Sequence, residues 1–298
     1  MWPWLIFQGG KNTMNSQTRR RRLRDIFNGD RCIRPGSVYD PLSARVAEDL
    51  GFEAGMFAGS TASLTVLGDP DIILLTLSEF TDQAHRICRA SELPLIVDAD
   101  HGYGNALNVK RTVEELETAG VSCLTIEDTL LPKRFDAAGT EFLSIEEGVG
   151  KMKAALAGRQ DPDLIVLGRT SAVGVNGVED GIRRARAYVD TGVDGIMFVG
   201  VKTQADLEAL AAEIEAPIML GGSGPELQDP NYLAQHGIRI SLQGHQPIMA
   251  AVQAMYTTLK ALRDGTPPAE LEGVASPELM KQLTRDAQYQ AWQDEFLT

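Results

Sequence analysis

Eight short apolar runs, each followed by a helix-length segment, constrain the fold of this chain more than any other feature. They fall near Cys32–Val38, Ala54–Ala58, Leu95–Val97, Cys123–Ile126, Leu164–Leu167, Gly195–Val199, Pro217–Leu220 and Ile238–Leu242. The separators carry helical periodicity over Asp40–Leu50, Leu77–Arg89, Ala106–Ala119, Ile145–Leu156, Val178–Thr191, Gln204–Glu213, Asp229–His236 and Gln246–Asp264. Gly51, Gly120, Gly192 and Gly237 stand just past helical patterns, the usual place for a C-cap. Eight β/α units in about 250 residues predict an α/β fold, a TIM-like (β/α)8 barrel. A doubly wound open sheet is the alternative, but the dinucleotide fingerprint G-x-G-x-x-G is missing.

The barrel is expected over residues 18–264, after an N-terminal disordered extension over 1–17 and before a helical tail over 265–298. Residues 1–13 read as an upstream extension or a mis-assigned start, with Met14 the more ordinary beginning. Thr266-Pro-Pro268 breaks the eighth helix, and Ser276–Phe296 returns to a helical pattern suited to capping its own barrel or packing on a neighbouring subunit. Arg19-Arg-Arg-Arg22 reads as the solvated face of a first helix (Thr18 to Asn28) rather than a nucleic-acid patch. The formal charge of −13 argues against nucleic acid or an anionic membrane as partner. No apolar run reaches the roughly 18 to 20 residues of a membrane helix. Cys32, Cys88 and Cys123 lack metal or redox spacing, which suits a reduced, cytoplasmic protein.

Two neighbouring runs end in acids: Asp98 and Asp100 after Leu95-Ile-Val97, and Glu127 after Leu124-Thr-Ile126. Strand alternation puts Asp98 and Asp100 on one face, where like charges repel and resist desolvation unless a cation compensates them. Oxygen ligands of this kind suit a hard divalent cation, Mg²⁺ first. Barrel chemistry sits where strands end. The other ends carry Ser37, Tyr39 and Asp40; Gly59 and Ser60, followed by a loop with Asp71; Arg169 and Ser171; Gly221–Gly224; and His245. Ser171, Ser223 and Asp40 have N-capping as their ordinary role. Gly221-Gly-Ser-Gly224 could cradle a phosphate, though no lysine accompanies it. Arg169 directly follows an apolar strand and suits bidentate binding of a carboxylate. His245 at the mouth suits substrate contact, whereas His85 and His236 lie in helical patterns.

Asp98-Ala-Asp-His-Gly-Tyr-Gly104, Ile126-Glu-Asp128, Gly59-Ser60, Pro70-Asp71 and Arg169-Thr170 together resemble the isocitrate lyase/phosphoenolpyruvate mutase superfamily, from about Leu23 to Tyr256. Tyr39–Arg45, Thr76–Phe80, Ile126–Pro132, Glu146–Lys151 and Gly244-His245 make the likeness closest to its oxaloacetate decarboxylase branch. The resemblance implies one Mg²⁺, with Mn²⁺ as a substitute, near Asp98, and with Asp100 and Glu127 acting through bound waters. It implies an anionic keto-acid substrate contacted by Gly59, Ser60, Asp71, Arg169 and His245, the last two being catalytic. It also implies a homotetramer, a dimer of dimers, with C-terminal helices exchanged between subunits. Lyases of the superfamily carry a Lys-Lys/Arg-Cys-Gly-His segment after the fourth strand. Here Pro132-Lys-Arg-Phe-Asp136 has neither cysteine nor histidine.

These residues predict Mg²⁺-dependent decarboxylation of oxaloacetate to pyruvate and CO₂ through a metal-stabilised enolate, a step that needs no general base. The rivals are another 2-keto-acid C–C lyase or a phosphonopyruvate-type P–C bond enzyme, and, from a different class, a non-catalytic metabolite-binding barrel or a nucleic-acid-binding protein using Arg19–Arg22.

Overall fold

A computed structural model of the chain describes residues 15–298, so the reading of residues 1–13 lies outside the described residues. Eight parallel strands follow one another around a single sheet: β1 (Gly36–Ser37), β2 (Gly55–Phe57), β3 (Leu95–Asp98), β4 (Cys123–Glu127), β5 (Ile165–Thr170), β6 (Gly195–Phe198), β7 (Ile218–Leu220) and β8 (Ile238–Ser241). A parallel bridge between Ile33 and Ile240 closes the ring, with Ile33 N–H donating to the Arg239 carbonyl at 2.9 Å. The open-sheet alternative is thereby removed.

The helices are α1 (Ser16–Phe27), α2 (Pro41–Asp49), α3 (Gly59–Ala62), α4 (Leu77–Ala90), α5 (Ala106–Thr118), α6 (Ile145–Gly158), α7 (Ala172–Asn176), α8 (Val178–Val189), α9 (Gln204–Glu213), α10 (Pro230–Gln235), α11 (Gln246–Arg263), α12 (Pro277–Thr284) and α13 (Asp286–Phe296). Side-chain caps explain several starts. Thr76 and Glu79 form a reciprocal capping box at α4, and Asp40 and Ser43 another at α2, so Asp40 serves as a cap. The helical tail is broken at Arg285, which adopts a left-handed backbone (φ 62°) between α12 and α13.

Alternation along the strands separates two cores. Outward residues such as Val97, Leu124, Ile126 and Val166 pack beneath the helices. Inward residues Ile96, Cys123, Ile165, Leu167, Met197, Met219 and Ile240 fill the lower barrel, which Leu23 and Phe27 of α1 seal from below. Further up, the inward positions become Asp98, Thr125, Glu127 and Arg169, so the same alternation that builds the core places polar groups at the mouth.

Helix α1 corrects two readings. It begins at Ser16, inside the stretch assigned to the extension, and of the run Arg19–Arg22 only Arg21 and Arg22 are exposed, while Arg19 and Arg20 are buried. Arg19 is buried and donates to the Cys88 and Ser91 carbonyls; Arg20 is buried and donates to the Val121 and Glu117 carbonyls and to Asp161. Arg21 pairs with Asp163 and Arg24 with Asp194. Arg19 and Arg20 thus satisfy carbonyls at the C-terminal ends of α4 and α5, and their guanidinium groups are not available to nucleic acid.

Candidate active site

The mouth is organised by strand register. Asp98 lies opposite Thr125, and Glu127 opposite Arg169, on adjacent parallel strands. Arg169 reaches across them: its Nη1 donates to Asp98 Oδ2 at 2.5 Å, and its Nη2 lies 3.4 Å from Glu127 Oε2. Asp98 Oδ1 accepts from Thr125 Oγ1 at 2.9 Å, and Glu127 Oε2 accepts from Thr129 Oγ1 at 2.9 Å. Burial works against the charged guanidinium, but Asp98, Glu127 and Asp100 outweigh it and hold Arg169 protonated. Its Nε–H is buried with no acceptor among the described residues.

Asp100 arrives by a different route from the one alternation predicts. Strand β3 stops at Asp98, and Asp100 sits in a left-handed turn (φ 48°) with its N–H directed at Asp98 Oδ1, 3.3 Å away. Its carboxylate takes no hydrogen bond from the described residues and lies against Gly59, where a Cβ would come 2.5 Å from Asp100 Oδ2. A side chain at 59 would force the Asp100 carboxylate to move. Burial, then repulsion from Asp98 and Glu127, push the Asp100 carboxyl well above the usual carboxylate range. Burial also raises Glu127, despite Arg169 beside it.

The remaining predicted residues stand around this centre. His245, half-buried before α11, shares a 2.8 Å hydrogen bond through Nδ1 with Ser37 Oγ of β1. Burial lowers its pKa, while Asp98 and Asp71 act in the opposite direction. Asp71 is an exposed rim residue; desolvation and then Asp98 raise its carboxyl. Ser60 is half-buried in α3 next to Gly59, with no hydrogen bond from its hydroxyl to the described residues. In Gly221–Gly224, a Cβ at Gly224 would lie 2.2 Å from the Lys202 carbonyl, so close backbone packing accounts for glycine there. Ser171 precedes α7 without a side-chain capping bond.

Sequence reasoning assigned no role to Thr125, Thr129 or Tyr103. Thr125 shares its face with Glu127 inside an apolar strand, and that parity was its signal. Tyr103 keeps a buried, unpartnered hydroxyl, and its pKa is raised by burial and then by Asp100.

Residues 23–263 match the family described as phosphoenolpyruvate phosphomutase. The chain belongs to this family. Within the phosphoenolpyruvate phosphomutase family it is 59% identical over 278 residues to an oxaloacetate decarboxylase of Bradyrhizobium diazoefficiens, covering 93% of this chain and 96% of that one. A phosphonopyruvate hydrolase solved with oxalate and Mg²⁺ superposes with TM-score 0.83 at 28% identity, covering 96% and 100% of the two chains. An oxaloacetate acetylhydrolase solved with 3,3-difluorooxalacetate superposes with TM-score 0.81 at 30% identity, covering 91% and 95%.

A divalent cation fits the phosphomutase-family mouth by the chemistry of its donors. Asp98, Asp100, Glu127 and Asp71 face one guanidinium, and the Asp100 oxygens have no donor among the described residues. Among the described residues no three acids, histidines or cysteines gather closely enough to chelate a metal by themselves.

Proposed function

We propose that this site decarboxylates oxaloacetate to pyruvate and CO₂ with the help of a bound Mg²⁺, for which Mn²⁺ can substitute. The observation that carries the reading is the pairing of Arg169 with Asp98 and Glu127 at the mouth, next to a β4–α6 loop that has neither cysteine nor histidine. Relatives named oxaloacetate decarboxylase, 54–59% identical over at least nine-tenths of the chain, support the choice of substrate.

Asp98, Asp100 and Glu127 would hold the cation, which when bound supplies Lewis-acid polarisation of a keto oxygen. Arg169 binds and orients the dianionic substrate with its free Nε–H and its two paired nitrogens. As the C3–C4 bond breaks, its electron pair moves towards the C2 oxygen and C4 leaves as CO₂. Arg169 places fixed positive charge beside the oxygen that becomes negative. Ser60 offers a free hydroxyl to the C1 carboxylate, and His245, its Nδ1 tied to Ser37, turns Nε2 to the substrate. Asp71 lines the rim, and Gly59 keeps Asp100 in place. Water from the open mouth protonates C3 afterwards, so no side chain needs to abstract a proton.

The purified chain is expected to form pyruvate from oxaloacetate, to lose the activity in EDTA and to regain it with Mg²⁺. A panel with phosphonopyruvate, 2-methylisocitrate and 2,3-dimethylmalate should give much slower turnover. Metal-independent rates, or faster cleavage of another panel member, would overturn the assignment.

We further propose a homotetramer, a dimer of dimers that exchanges its C-terminal helices. Among the 18 residues of α11 only Ile248 is buried, while Met249, Val252, Met255, Tyr256 and Leu259 are exposed. Such an apolar face on a projecting helix calls for a cover. Helix α12, by contrast, returns to α2, where Arg285 pairs with Glu48 and Asp49. Light scattering at micromolar concentration should give four chains; a monomer would refute the exchange. No helix among the described residues is long and apolar enough to cross a membrane, and Cys32, Cys88 and Cys123 are unpaired, which supports a cytoplasmic setting.

A further inference from the structure

Glu127 and Asp128 are successive residues, so their side chains leave β4 on opposite sides. Glu127 enters the mouth; Asp128 turns outward and is fully buried. Asp128 Oδ2 accepts from Arg184 Nη1 at 3.0 Å and from the Tyr188 hydroxyl at 2.7 Å, both groups carried by α8. The fit around Tyr188 is close, since a Cβ on Gly148 of α6 would stand 2.4 Å from its hydroxyl. Arg184 has further duties. Its Nη1 donates to the Leu143 carbonyl at 3.0 Å, its Nε donates to Asp180 at 3.0 Å, and its guanidinium lies 5.0 Å from the centre of the Phe142 ring.

One side chain on α8 therefore grips both ends of the loop between β4 and α6. The two ends are also tied to each other. Thr129 and Phe142 form an antiparallel bridge, Leu130 N–H donates to the Glu141 carbonyl at 2.8 Å, and Leu143 N–H donates to the Asp128 carbonyl at 2.8 Å. This neck carries Thr129, whose hydroxyl holds the Glu127 carboxylate. Beyond it the loop leaves the protein surface, with Phe135 at 95% exposure.

We propose that Arg184 is a positioning residue for the mouth: through Asp128 and Phe142 it fixes the neck of the β4–α6 loop, and through Thr129 it fixes Glu127. The inference rests on the reading of Glu127 as part of a Mg²⁺-dependent site. Groups that orient metal-holding side chains typically contribute about 10–100-fold to metal affinity or activity.

The test compares wild type with Arg184→Lys and Thr129→Val. Lysine keeps the charge beside Asp128 but cannot reach Asp128, Asp180 and Leu143 together; valine leaves the clamp intact and removes the hydroxyl at Glu127. Three quantities are read: Mg²⁺ affinity by calorimetry with the metal alone, tryptic cleavage after Lys133 or Arg134 in the loop, and kcat and KM with oxaloacetate. Arg184→Lys should weaken Mg²⁺ about tenfold, lower kcat by a similar factor with KM little changed, and speed cleavage of the loop. Thr129→Val should weaken Mg²⁺ and lower kcat to a like degree while the loop stays as resistant as in wild type. Faster cleavage in Arg184→Lys with wild-type Mg²⁺ affinity would make the clamp a structural brace only and overturn the proposal, as would wild-type metal affinity in Thr129→Val. Should the wild-type chain bind Mg²⁺ yet leave oxaloacetate intact, the substrate assignment fails, and the metal and cleavage readouts still decide the role of Arg184.

Discussion

Replacing Arg169 by alanine is expected to lower kcat/KM for oxaloacetate on the order of 10²-fold or more, the usual cost of removing a fixed charge-stabilising donor from a preorganised site. The side chain touches Asp98 and Glu127 and keeps a buried Nε–H without an acceptor, so it is charged, oriented and has donor capacity to spare. Arg169→Lys should recover only a small part of the loss, because an ammonium supplies a point charge where a planar fork is used. Both variants should still bind Mg²⁺, since each of the three carboxylates remains. Steady-state kinetics at saturating metal decides the matter: a rate unchanged in Arg169→Ala removes this residue from the reaction.

That arginine was legible because a charged residue directly after an apolar strand has few places to go but the mouth. The barrel was legible for a related reason: strand-length and helix-length runs alternate eight times, and periodicity records which side each residue faces. What escaped depends on contacts distant in sequence or on backbone conformation. The run Arg19–Arg22 looks like a surface stripe, yet its partners are carbonyls and acids such as Val121 and Asp161, about a hundred or more positions away. Helix α3 and the wide π turn Ser63–Leu67 after it begin with Gly-Ser-Thr-Ala-Ser, a weak helix-forming string. Asp100 was placed correctly for the wrong reason, because a left-handed turn rather than an extended strand brings it beside Asp98. Arg285 carries no signal that it will split the tail with a positive φ. Asp128 follows Glu127 in sequence, but continuing the alternation of β4 by one residue sends it outward to Arg184.

Asp98→Asn is expected to abolish turnover while leaving the chain folded. Asp98 is almost fully buried and serves three groups: Arg169 through Oδ2, and Thr125 and the Asp100 N–H through Oδ1. An asparagine oxygen can still accept from Thr125 and the backbone, but its amide nitrogen then meets the Arg169 guanidinium donor to donor, so that one bond is lost. The charge is lost too, and with it goes the electrostatic reason for a cation to stay beside Asp100 and Glu127. Asp98→Ala is a harsher change. It strands the buried guanidinium and the Thr125 hydroxyl together, and breaking a buried ion pair by removing one partner typically costs about 3–5 kcal/mol. The pair of variants therefore separates folding from chemistry. Both should show no detectable pyruvate and no calorimetric Mg²⁺ binding, and the alanine variant, which also loses the Thr125 bond, should shift the urea midpoint further than the asparagine variant. Turnover by Asp98→Asn within tenfold of wild type would mean that the metal is held without this carboxylate, and the centre would have to be sought among Asp71, Asp100 and Glu127.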